Sequence, residues 1–126
     1  PKGANFVPLA KSMAWQFALD AYKRMHLAVG TTGSAWYGKD TLAGATTEFR
    51  AGTWYHLVGT YDGTAVRFYV NGKLDGASKT PVTGTLVKNA APIVLAKGDC
   101  VIDELVILGR ALGADEVAAL VGTATR

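Results

Sequence analysis

The chain has 126 residues, of which 49% are hydrophobic and 18% charged, with a formal net charge of +3. This length predicts one domain with a single core, and the composition excludes a disordered chain. The 13 basic residues are scattered along the chain and no apolar run approaches the roughly 20 residues of a membrane helix, so we expect neither nucleic-acid binding nor membrane insertion.

The first half of the chain contains short apolar stretches typical of strands. Residues 6–10 are apolar, and Pro8 predicts an edge strand because proline cannot donate to a ladder. Residues 15–19 and 25–29 alternate large apolar side chains with smaller or polar ones, so each is expected to bury one face. Residues 46–49 are expected to form a further short strand.

Residues 54–74 carry the clearest local pattern, which predicts three consecutive strands joined by two tight turns. The pairs Asp62-Gly63 and Asn71-Gly72 tolerate positive φ at both central positions of a type I′ turn. Because this turn matches the twist of the flanking strands, the stretch is predicted to be a β-meander with fixed register.

Four residues in these strands are expected to be buried. Trp15 and Trp54 alternate with their strand neighbours, and we place both in the core. His56 lies between Tyr55 and Leu57 and is expected to be a packed core histidine, as is His26.

The C-terminal third is predicted to hold two strands and the only helix. Residues 92–97 predict a strand, and residues 101–108 a central strand covered on both faces, because both sets of alternate positions are apolar. Residues 113–121 predict a helix with Gly113 as N-cap and acidic residues in its first turn. Eight or nine short strands and one short C-terminal helix predict an all-β fold, an antiparallel jelly-roll-like β-sandwich.

Two motifs resemble the laminin G-like family of the concanavalin A-like lectin/glucanase superfamily. One is WYHLVGTYDG followed by VRFYVNGKL, within residues 54–74, and the other is VIDELVILGRALGADEV, residues 101–117. The resemblance covers residues 9–120 and implies a concanavalin A-like sandwich. The family's opening motif and first strand are largely absent, so residues 1–126 are expected to form a single laminin G-like domain that lacks the usual N-terminal strands. Gly109 also occupies the place of the family's asparagine before Arg110.

The superfamily includes glucanases, but the acidic residues do not predict catalysis. A retaining glycosidase places two carboxyl groups about 5–5.5 Å apart, which on a strand requires acidic residues two positions apart. None of the 10 acidic residues is so spaced, and Asp103 and Glu104 would point to opposite faces of a strand. We therefore expect no enzymatic activity.

Glycan binding requires an aromatic face beside polar donors and acceptors, and one segment offers both. Trp36 and Tyr37 lie close to Lys39 and Asp40 in a stretch rich in Gly, Ser and Thr. These four residues are the candidate ligand-binding site. The alternative is a short strand whose Trp36 fills the sandwich core.

The resemblance also implies a possible calcium site, since many laminin G-like domains bind calcium. Asp103 would supply an oxygen ligand, assisted by Asp99 or Asp62. The alternative is that Asp103 and Glu104 cap or bridge strands and that Glu104 pairs with Arg110.

Two function classes follow from these observations. The first is a non-catalytic glycan-binding or adhesive module of an extracellular or surface protein, with a carbohydrate or a surface protein as partner. The second is a structural or assembly domain of a virion or surface fibre, such as a decoration protein, that self-associates. Both predict an extracellular, cell-surface or virion-surface location.

The missing N-terminal strands carry a prediction of their own. A sandwich without them would expose open sheet edges, which another strand can pair with. We expect completion by a second copy in a homo-oligomer, by a strand-donating partner chain or by a preceding segment. In the alternative, residues 1–12 close the edge.

Overall fold

Eight β-strands and one α-helix form the part of the chain that the structure, a computed structural model, describes: residues 6–20, 22–33, 42–43, 46–79, 81–95 and 100–123. The elements are β1 (Phe6–Lys11), β2 (Trp15–Leu19), β3 (Met25–Val29), β4 (Leu42–Ala43), β5 (Leu57–Tyr61), β6 (Val66–Val70), β7 (Lys73–Ala77), β8 (Ile93–Leu95) and α1 (Ala114–Thr123). Within these residues, no helix is long and apolar enough to cross a membrane.

The strands form two antiparallel sheets. One has the order β4-β3-β2-β1-β8 and the other β5-β6-β7. β2 and β3 pair from Trp15 opposite Val29 to Leu19 opposite Met25, so the turn between them projects from one end of the larger sheet. The sheets face each other through β3 and β6. The predicted antiparallel β-sandwich with one short C-terminal helix is therefore confirmed.

The core lies between β3 and β6 because each strand buries alternate side chains against the other. Its buried members are Met25, Leu27, Val29, Val66, Phe68, Val70 and Val82. Trp15 packs against this cluster and is half-buried. The ring of Phe17 meets that of Phe68 with centroids 5.8 Å apart.

The expected edge position of the first strand is wrong. β1 lies between β2 and β8. Its register with β2 shifts between Phe6 and Leu9, so Pro8 occupies an irregularity where the ladder needs no donor from it.

One of the two predicted tight turns is present. Asn71 and Gly72 have φ of 50° and 83°, as a type I′ turn requires. The Asp62-Gly63 prediction is wrong: the loop spans the four residues between Tyr61 and Val66. Only Gly63 in it has a positive φ, of 95°. The Asp62 carboxylate accepts hydrogen bonds from the backbone N–H groups of Thr64 and Ala65, which stabilises this wider loop.

The structure also differs from the sequence prediction over residues 101–108, which form no strand. Val101 and Val106 are 75% and 71% exposed. Apolar residues on both faces show that a strand could be covered on both sides, but a strand also needs a neighbour to pair with. No other described segment provides one here. Residues 46–49 likewise form no strand and contribute only an isolated bridge, Glu48 to Arg24.

The helix agrees with the prediction. The Gly113 carbonyl accepts the first helical hydrogen bond, from Val117 at 3.0 Å. The carboxylate of Glu116 accepts the Gly113 N–H at 3.2 Å, which completes half of a capping box. The same carboxylate holds both terminal nitrogens of Arg110 at 3.0 and 2.6 Å. The predicted pair of Glu104 with Arg110 is therefore wrong.

Three of the four core predictions need correction. Trp54 is 49% exposed because it precedes β5, which begins at Leu57. Its alternation with its neighbours therefore does not correspond to a paired strand. His26 has a quarter of its side chain exposed and pairs with Asp20. His56 is half-buried, with a buried Nδ1 for which the described residues offer no hydrogen-bond partner. Only Trp15 packs against the core as expected.

Candidate functional site

The residues predicted to bind a ligand lie outside the described part of the chain. This applies to Trp36, Tyr37, Lys39 and Asp40, and to Asp99 of the possible calcium site. Asp103 is described and exposed. The described residues contain no group of three or more His, Cys, Asp or Glu side chains that could hold a metal ion. Calcium binding at Asp103 stays a prediction.

The described residues do form a polar groove at the turn between β2 and β3, which we call the β2–β3 groove. Tyr22, Lys23, Arg24 and Glu48 line it; it is shallow and open to solvent, with a volume of about 280 Å³. The Tyr22 side chain is 75% exposed. The groove thus combines an accessible aromatic ring, two cations and one carboxylate.

Hydrogen bonds to Asp20 define the turn that forms one wall of the groove. Its Oδ1 accepts the backbone N–H of Tyr22 at 2.8 Å and that of Arg24 at 3.0 Å. Its backbone N–H donates to the Arg24 carbonyl, and its own carbonyl accepts from Lys23, both at 3.0 Å. Lys23 has a φ of 61°, a left-handed conformation that is uncommon for a residue with a side chain.

The second carboxylate oxygen of Asp20 joins the turn to β3. Oδ2 lies 2.7 Å from Nε2 of His26. Partial burial opposes ionisation of Asp20, but the bonds from His26 and from the Arg24 and Tyr22 amides outweigh it, so the pKa of Asp20 lies below its ordinary value. Asp20 is therefore ionised at neutral pH.

The other wall comes from the segment before β5. The bridge from Arg24 to Glu48 aligns this segment with the turn, and the Phe49 N–H donates to the Lys23 carbonyl at 2.7 Å. The Phe49 ring stacks on Tyr55, with centroids 4.2 Å apart. These contacts set Glu48 opposite the two cations of the turn.

Asp75 on β7 anchors the start of the same segment. Its carboxylate accepts the backbone N–H groups of Thr46 and Thr47 at 3.0 and 3.1 Å, and their hydroxyls as well. Burial opposes ionisation of Asp75, but the hydrogen bonds from both threonines outweigh it and lower its pKa. The second wall of the groove is thereby tied to the smaller sheet.

The groove has the chemistry to bind a polar ligand with an apolar face. Lys23, Arg24 and Glu48 are exposed, and the ion pairs found among the described residues involve none of them. Their charged groups are available as donors and acceptors, while Tyr22 offers a flat apolar surface. Trp54, half exposed, is a second accessible aromatic residue on the segment that contains Glu48.

The sequence analysis did not predict this groove, although the sequence gives a signal for one of its two walls. Tyr22, Lys23 and Arg24 are one aromatic and two basic residues between two alternating stretches, and such a position is the tip of a hairpin. Glu48 has no comparable signal, since its place depends on contacts between segments more than 20 residues apart.

A second surface feature is the apolar character of two C-terminal segments. All three residues of β8 are exposed, at 43% for Ile93 and Val94 and 50% for Leu95. β8 is at an edge of the larger sheet as described. Residues 101–108 also expose Val101, Leu105, Val106, Ile107 and Leu108.

The comparison with protein-family models supports the fold. The laminin G family model Laminin_G_3, described as the concanavalin A-like lectin/glucanases superfamily, matches residues 2–118. Among solved structures, an S-layer domain-containing protein (residues 221–444) from Clostridium thermocellum is similar, with 20% identity and a TM-score of 0.44. The match covers 85% of this chain and 55% of that one. The search of curated proteins found no match. Since the family model covers most of its length, this chain belongs to the concanavalin A-like lectin/glucanase superfamily, as a laminin G-like domain.

Proposed function

We propose that this chain is a non-catalytic glycan-binding module of an extracellular or surface protein, and that the β2–β3 groove is its binding site. The observation that carries the proposal is the exposure of Tyr22, 75%, beside Lys23, Arg24 and Glu48. The C–H face of a sugar ring is apolar and its hydroxyls are directional. An exposed aromatic ring flanked by charged donors and an acceptor matches both properties.

The rigidity of the groove supports the proposal. A binding loop that is already held in one conformation loses less entropy when a ligand binds. The turn from Asp20 to Arg24 is fixed by backbone and carboxylate hydrogen bonds. The facing segment is fixed through Phe49 and Asp75. Both walls are therefore preorganised.

The experiment compares saccharide binding by the wild-type chain and by Tyr22→Ala on an array of neutral and uronic-acid-bearing oligosaccharides. Binding to the best array saccharide is then measured by calorimetry. Stacking on an aromatic ring contributes roughly 1.5 kcal/mol to binding. Its loss is therefore expected to weaken the affinity by about tenfold or more.

The matched control is Met13→Ala. Met13 is 52% exposed and precedes β2, whereas Tyr22 follows it, so the two lie at opposite ends of one strand. Met13→Ala should leave affinity unchanged. Equal affinity of wild type and Tyr22→Ala would reject the groove, and a loss of binding in Trp36→Ala alone would assign the site to Trp36, Tyr37, Lys39 and Asp40.

A second candidate function is assembly, through self-association or a strand donated by a partner chain. The observation that favours it is the exposed apolar surface of β8, whose three residues carry no charge. Charged residues on an edge strand normally prevent edge-to-edge pairing. A domain of a virion or surface fibre would use such an edge to pair with its neighbour.

A further inference from the structure

We propose that Asp20 is the positioning residue of the β2–β3 groove: its carboxylate holds Tyr22 and Arg24 in the orientation that receives the ligand. This inference rests on the proposed function and adds to it a residue that contacts the loop backbone rather than the ligand. Asp20 itself is not among the residues that line the groove.

Asp20 contacts its surroundings through both oxygens of its carboxylate. One carboxylate oxygen accepts two backbone N–H groups, from Tyr22 at 2.8 Å and Arg24 at 3.0 Å. The other oxygen bonds to His26 at 2.7 Å. Asp20 therefore links two of the three groove-lining residues of the turn, Tyr22 and Arg24, to β3, which is part of the packed sheet.

The charges around Asp20 are consistent with this role. His26 faces it from β3, and Lys23 and Arg24 follow it in the turn. Glu48 faces the turn from the second wall of the groove. Hydrogen bonds to a charged carboxylate are stronger than neutral ones, so the loss of this carboxylate removes the charge-assisted contacts of the turn and leaves only its backbone hydrogen bonds.

A left-handed residue at the centre of the turn makes that loss consequential. Lys23 has a φ of 61°, a conformation that costs about 1 kcal/mol or more and persists only where surrounding contacts enforce it. Without the Asp20 carboxylate, the backbone at Lys23 is expected to relax and to move Tyr22 and Arg24 apart.

The test uses the full chain with Asp20→Ala and Asp20→Asn. Hydrogen exchange of the Tyr22 and Arg24 amides is measured by NMR, and affinity for the best array saccharide by calorimetry. Asp20→Ala should accelerate exchange of both amides by about tenfold or more and weaken binding by a similar factor. Asp20→Asn keeps an oxygen that can accept both amides, so it should restore slow exchange and most of the affinity.

Asp62→Ala is the matched control, because Asp62 caps two amides in the same way in the β5–β6 loop. The β5–β6 loop lies at the other end of β3 from the groove. Its Thr64 carbonyl accepts the Val82 N–H, and the neighbouring Thr83 carbonyl accepts the hydroxyl of Thr31, which follows the C-terminal end of β3. Asp62→Ala should loosen its own loop and leave saccharide affinity unchanged.

The outcomes separate the two proposals. Fast amide exchange in Asp20→Ala with unchanged affinity would overturn the positioning role while leaving glycan binding intact. Slow exchange in Asp20→Ala would also overturn it. If wild type binds no saccharide, the proposed function fails, and Asp20 then only stabilises a turn. A loss of affinity in Asp20→Ala that Asp20→Asn reverses supports the proposal.

Discussion

Position 84 requires glycine because two loops approach each other closely there. Its φ is +92°, and a Cβ built there would lie 2.6 Å from the backbone nitrogen of Gly33 and 2.5 Å from Oγ1 of Thr32. Backbone atoms cannot yield as a side-chain tip can. We expect Gly84→Ala to destabilise the fold by about 2–4 kcal/mol, from strain at positive φ and from the collision.

The measurement is urea denaturation of Gly84→Ala beside Gly63→Ala. Gly63 has a similar φ of +95° but nothing within 4 Å of its Cβ position, so only the conformational cost of about 1 kcal/mol remains. Equal losses of stability in the two variants would show that the loops are not in contact at Gly84.

Asp62 is expected to make stability depend on acidic pH. The Ala65 amide is the largest cause, followed by the Arg67 guanidinium and the Thr64 amide, and together they lower the pKa of Asp62 from 3.8 to about 2. A carboxyl group whose pKa is lower in the folded state contributes stability above its unfolded value, and that contribution is lost as pH falls toward the folded value. Between pH 4 and pH 2 the wild-type melting temperature should therefore fall.

Asp62→Asn isolates this contribution. It removes the titrating group, so its melting temperature should fall less than that of wild type over the same pH interval. Both side chains of the Asp62–Arg67 pair are more than one third exposed, and 1 M NaCl should reduce the difference because salt screens exposed charges. Parallel pH profiles for the two proteins would contradict the assignment.

At the scale of elements, the sequence predicts those strands whose evidence is local. Residues 15–19 and 25–29 show their alternation within five residues, and Asn71-Gly72 determines its own turn; these predictions agree with the structure. Residues 101–108 are apolar at both sets of alternate positions, an equally clear local pattern, and form no strand. A strand also depends on a partner that is distant in sequence, and the pattern of one segment contains no information about it.

The same distinction explains the side chains and the groove. Alternation with its neighbours predicts that Trp54 lies in the core, but the ladder begins only at Leu57, and the side chain is half exposed. The tip residues Tyr22 to Arg24 could have been recognised from the sequence as an exposed hairpin end. The position of Glu48 beside them could not have been recognised, since it depends on how the segment before β5 folds back onto the turn.

At the scale of the whole molecule, the two candidate functions use different surfaces. The β2–β3 groove lies at one end of β2 and β3, whereas β8 lies at the sheet edge beyond β1. A ligand in the groove and a strand added to β8 do not compete for the same residues. Glycan binding and assembly can therefore be tested separately, with variants that affect one and leave the other.

Self-association is expected to depend on the edge of β8. Val94 is the central residue of this strand and is 43% exposed, so Val94→Lys places a charge on the edge strand. A charged residue there opposes pairing with a second strand. In light scattering from low to high micromolar concentration, the mass of wild type should rise with concentration, while that of Val94→Lys should stay at the monomer value.

The control is Met13→Lys, which adds the same charge at an exposed position in the β1–β2 turn and should associate as wild type does. All three proteins should melt within a few degrees of one another, because neither replaced side chain belongs to the buried core. A wild-type chain that is monomeric at every concentration would exclude assembly of this chain with itself through β8 and leave glycan binding as the better-supported function.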